Sequence, residues 1–71
     1  MRYADMAKLT EGKKFPIFGK NANEEHVIIE RGRMSGRRFF RISTCQNNGW
    51  MRYNTFWEDG STAETYRRSN A

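Results

Sequence analysis

The sequence predicts a mainly β domain: a small twisted antiparallel sheet or partly closed barrel of four or five strands, with a short N-terminal helical segment. Three observations carry this. Two strong hairpin signals, Asn48-Gly49 and Asp59-Gly60, are each flanked by residues suited to strands. A β-branched run, Val27-Ile28-Ile29, stands upstream of them. The chain has 71 residues and no internal repeat, which is one small domain spanning 1–71.

The elements follow in order. Residues 1–12 read as an arm or short helix, because Tyr3, Met6, Ala7 and Leu9 fall at helical spacings and Thr10-Glu11-Gly12 ends them. So few residues do not hold a helix alone, so this one needs the sheet to pack on. Lys13–Gly19 is an edge strand or extended arm, since Pro16 cannot donate to a central ladder, and its Phe15, Ile17 and Phe18 read as core. Lys20–Glu25 is a polar loop, and His26–Arg31 is a strand. Arg31–Arg38, with two glycines and four arginines, reads as a flexible basic connection. Arg37–Gln46, Trp50–Trp57 and Thr62–Arg68 form a three-stranded meander, and residues 69–71 a flexible tail.

Two-residue loops at Asn48-Gly49 and Asp59-Gly60 imply a register. Asn47 then pairs with Trp50, Thr44 with Tyr53, Ile42 with Thr55 and Phe40 with Trp57; Trp57 pairs with Thr62, Thr55 with Glu64 and Tyr53 with Tyr66. Alternation sorts the meander into two faces. Phe40, Ile42, Thr44, Met51, Tyr53, Thr55, Trp57, Thr62 and Tyr66 make a core layer. Arg37, Phe39, Arg41, Arg52, Phe56 and Arg67, with Trp50 at the rim, make a basic surface set with rings.

Composition narrows the chemistry. Thirteen basic against eight acidic residues give a net charge of +5 and a pI near 9.9. Nine of the thirteen are arginine, and Arg31, Arg33, Arg37, Arg38 and Arg41 crowd into eleven residues. Arginine is favoured where a planar fork must meet phosphate or carboxylate, or stack on a ring. One cysteine (Cys45) and one histidine (His26) preclude a disulfide framework or a zinc site, so no cofactor is expected. No Ser/His/Asp set, Cys/His pair or phosphate-cradling glycine loop is present, which points away from an enzyme. Mean hydropathy of −0.97 with no long apolar run argues against a membrane span. The N-terminus lacks the apolar segment of a signal peptide, so a cytoplasmic protein with a reduced thiol is expected.

Gly36-Arg37-Arg38-Phe39-Phe40-Arg41, followed by Phe56-Trp57-Glu58-Asp59, resembles the signature segments of the GRF-type zinc fingers, a family that binds single-stranded nucleic acid. Ile42 stands where a zinc-binding cysteine of that family would follow, and the other ligands are missing. Neither zinc nor function is carried over.

Two functions fit this pattern. In the first, a non-catalytic nucleic-acid-binding module uses Arg33, Arg37, Arg41, Arg52 and Arg67 on phosphates and Phe39, Trp50 and Phe56 on unpaired bases, the sequence not distinguishing DNA from RNA. In the second, the same residues dock on an acidic protein surface, as a small inhibitor or adaptor of the kind phage and mobile elements carry. A homodimer would add stability in either case. A third arrangement makes Phe39, Trp50 and Phe56 a second core layer and predicts that Phe39 and Phe56 are buried.

Overall fold

The computed structural model describes residues 2–46 and 49–68. It is a five-stranded antiparallel open sheet in sequential order, crossed on one side by a single short helix. The elements are α1 (Tyr3–Leu9), β1 (Ile17–Lys20), β2 (His26–Met34), β3 (Arg37–Cys45), β4 (Trp50–Trp57) and β5 (Thr62–Arg68). The sheet does not close into a barrel; β1 and β5 are its edges.

At the start of α1 the Arg2 N–H donates to the Asp5 carboxylate at 3.0 Å, satisfying one of the groups a helix N-terminus leaves open. At its end the Thr10 hydroxyl and N–H both donate to the Met6 carbonyl, and Gly12 turns the chain at φ +74°. Seven residues are held by what they cover. Met6 is wholly buried, and the Tyr3 ring lies 4.9 Å from that of Phe40. Phe15 adds a second ring 6.0 Å from Phe40, which is 2 % exposed. Each such ring pair contributes about 0.5–1.5 kcal/mol beyond the area it buries.

After the cis Phe15–Pro16 bond, β1 forms the edge where proline confines it. The Asn21 side chain organises the following loop. Its oxygen accepts from the N–H groups of Asn23 and Glu25, and its amide donates to the Glu25 carboxylate.

The structure departs from the predicted connection between His26–Arg31 and the meander. Arg31 to Met34 continue β2, and Arg37 and Arg38 begin β3. Only Ser35 and Gly36 form the loop, at φ 52° and 76°, the primed two-residue turn that suits the strand twist. The arginines are therefore fixed in a ladder, with Arg33 directly opposite Arg38.

The two dipeptides read as two-residue loops sit in longer ones. Gln46 N–H donates to the Trp50 carbonyl, and Gly49, at φ +84°, closes the loop by donating to the Gln46 carbonyl. The pairing predicted for Asn47 falls outside the described residues. Likewise Trp57 N–H donates to the Ser61 carbonyl across Glu58, Asp59 and Gly60, with Gly60 at φ +93°. In each loop the glycine takes the left-handed position at the end of three residues. Each register therefore moves by one: Phe40 faces Phe56, Ser43 faces Tyr53, and Tyr53 faces Thr65. The two shifts cancel between β3 and β5 but invert β4 relative to both.

The core is consequently thin and two-sided. Phe40 lies beneath α1, while its neighbour Phe39, 8 % exposed, packs on the opposite side of the sheet. Ser43, Thr44 and Thr55 are also buried.

Candidate functional site

The inversion of β4 divides the expected site. Arg37, Phe39, Arg41 and Arg67 share the face that α1 leaves bare. Arg33, Trp50, Arg52 and Phe56 lie on the helix-bearing face. Arg41 and Arg52, expected on one face, point to opposite sides of the sheet. Met51, Tyr53, Thr55 and Trp57, read from the sequence as core, stand on the bare face beside Arg37 and Arg41. Thr55 is buried there, and the other three are half-buried.

The bare face is built upon Gly32. Phe39 lies opposite it, and a Cβ at position 32 would stand 2.5 Å from the Phe39 Cζ, so only glycine leaves that ring its place. Trp57 packs against Phe39 with ring centroids 4.9 Å apart and planes tilted by 57°. A guanidinium caps each ring: Arg37 lies 4.3 Å from the Trp57 centroid and Arg41 5.0 Å from that of Phe39. Such contacts hold an arginine flat at about 0.5–1 kcal/mol each at exposed sites. Arg37 is further tied to the Asp59 carboxylate at 2.6 Å and the Ser61 hydroxyl at 2.7 Å. Arg41 Nε donates to the Thr55 hydroxyl at 3.4 Å.

Asp59 is the turn's anchor. Bonds from the Ser61 hydroxyl and N–H hold its carboxyl below the ordinary value of 3.8, with further help from Arg37. Its pairing leaves Arg37 locally neutralised. Arg41 and Arg67, by contrast, line an open depression of about 600 Å³ with Met34, Tyr53, Thr55, Trp57, Ala63, Thr65 and Tyr66. No carboxylate lines it, although Glu30 stands directly opposite Arg41 in the ladder on the same face.

The helix-bearing face carries two features. Near the β2–β3 turn, a groove of about 720 Å³ runs between α1 and the sheet, with Lys13, Arg31, Arg33 and Arg38 among its lining residues. Toward the other end, Arg68 lies 5.7 Å over the Trp50 ring, and Tyr66 donates to the Glu64 carboxylate at 2.6 Å. That bond holds the Tyr66 hydroxyl above its ordinary 10.0. Arg52 is half-buried here, its Nε enclosed with no hydrogen-bond partner among the described residues. Phe56 is half-buried beside Phe40, and Phe39 is buried on the opposite side; burial of these rings therefore does not form the single second layer that the third arrangement required.

Cys45 is a free, exposed thiol. Among the described residues no three His, Cys, Asp or Glu side chains cluster as a metal site would require, and no helix is long and apolar enough to cross a membrane. No known protein family, curated protein or solved structure matches the chain, so the site is interpreted from its own chemistry.

Proposed function

We propose that this chain is a non-catalytic nucleic-acid-binding module whose bare sheet face accepts a single strand. The observation that carries this reading is the carboxylate-free depression on the bare face that holds the side chains of Arg41, Arg67, Tyr53 and Trp57. Guanidinium groups there meet phosphates, and exposed ring surface meets unpaired bases at about 1–3 kcal/mol per stacked base. Phe39 works from below: it is buried, and it positions Trp57 and Arg41 without itself touching a base.

The test is binding of single-stranded oligonucleotides across a salt series. Replacing Arg41 and Arg67 together by alanine should flatten the slope of log K against log salt by about 1.4, two single-strand phosphate contacts, with an unchanged circular dichroism spectrum. Wild-type protein that binds nothing at low salt, or binds indifferently to salt, would rule the reading out.

Phe18, read from the sequence as core but 70 % exposed, and Met34, 54 % exposed on the same face, give this basic face an apolar contact and favour a protein surface as a second reading. A stoichiometric protein captured from cytosol, retained after nuclease treatment and lost from the Met34→Ala variant, would support it in place of the first.

A further inference from the structure

The groove between α1 and the β2–β3 hairpin holds cations that nothing in the fold requires to be together. Arg33 and Arg38 are direct cross-strand partners, and like charges in that relation destabilise a sheet. Arg31 lies two residues along β2 on the same side, its guanidinium 4.7 Å over the Phe15 ring, and Lys13 joins them at the groove wall. Glu11 is the one carboxylate in the lining. The ion pair of this hairpin, Arg37 with Asp59, lies on the other face and neutralises none of these groups. Tyr3, Phe15 and Phe40 supply a ring-rich floor.

From this arrangement we infer that the groove is a second nucleic-acid contact, a track for successive backbone phosphates, so that a bound strand engages the β2–β3 hairpin on both of its faces. The inference rests on the nucleic-acid reading of the bare face and extends it to a separate set of residues. Arg31 and Arg33 are spaced along their strand by about 6.6 Å, two residues of β rise, which spreads the forks over a row of anions instead of converging them on one. Arginine forks pair with phosphate oxygens in bidentate fashion and keep their charge at any working pH. The strand would supply the negative charge that the Arg33–Arg38 juxtaposition lacks.

The experiment maps amide shifts of the full chain with two probes, tripolyphosphate and oligothymidylate, and measures the oligothymidylate salt slope for the Arg33→Ala, Arg38→Ala double variant. Both probes are expected to give saturable shifts at Lys13, Arg31, Arg33 and Arg38. The double variant should lose the tripolyphosphate shifts and flatten the salt slope by about 1.4. Arg33→Lys with Arg38→Lys keeps the charge and should restore most of the slope but less of the affinity. Oligothymidylate that moves Arg41, Tyr53 and Arg67 but leaves the groove unmoved would overturn the inference while the bare-face reading stood. Tripolyphosphate filling the groove of a protein that ignores oligothymidylate would overturn both, and would mark the groove as a small-phosphate site. Mapping on the wild type needs no variant to fold.

Discussion

Gly32 and Phe39 are one structural unit made of two residues. The absent side chain of the first makes room for the ring of the second, and that ring supports Trp57 and Arg41. An alanine in a strand is ordinarily favoured over glycine by about 0.5–1 kcal/mol. Here a Cβ would meet ring carbons at 2.5 to 3.1 Å, and overpacking of this kind costs about 1–3 kcal/mol. The clash should win, so Gly32→Ala is expected to destabilise the domain in urea titrations. In a Phe39→Ala background the same substitution should become neutral or stabilising. An equal penalty in both backgrounds would mean that the ring is not the cause. Gly32 was not identifiable from sequence, because its partner lies seven positions away across a turn that reads equally well as a loose connection.

At the scale of elements, the turn between β4 and β5 ties three strands at one end. Asp59 accepts from Ser61 and Arg37, and Glu58 N–H donates to the Arg38 carbonyl. Because the fold depresses the Asp59 pKa, its contribution to stability is fully present above the ordinary 3.8 and is lost as pH falls through the lowered value. Thermal melts of wild type and Asp59→Asn should therefore differ at neutral pH and converge under acid. A gap that stays constant with pH would assign the effect of the substitution to geometry alone. The same turn shows why strand existence was easier to read than pairing. Asp-Gly announces a reversal, yet glycine serves a two-residue loop in its second position and a three-residue loop in its third. The dipeptide alone does not choose between them. The Ser61 bonds to Asp59, which accompany the longer loop, decide it here.

Over the whole molecule, the net charge of +5 is displayed on both sides of an open sheet, with α1 shielding part of one. Arg41 and Arg67 belong to the bare face, Arg33 and Arg38 to the groove, and no described contact joins the two sets. Losses in log K from the two double variants should therefore add in the fourfold variant, within about 0.3–0.5 kcal/mol. A marked shortfall from additivity in salt-dependent binding would mean that both sets report on a single surface. The exposed side chains along β5 include Arg67 and Arg68, charges that discourage a second sheet from pairing with that edge.

By itself the sequence determined that the chain would be mainly β with a three-strand meander, that it would be basic, and that arginine and aromatic residues would share strands; for its first residues it offered an arm or a short helix. Those properties follow from local chemistry: β-branched runs, glycine turns, and alternation along each strand. Tertiary structure alone decided which arginines stand together. Side-chain direction in a sheet reverses with every single-residue change of register, and two loops, each longer by one residue than its dipeptide suggested, turned β4 over. Arg52 and Phe56 went with it to the helix side, and Tyr53 and Trp57 came to stand beside Arg41.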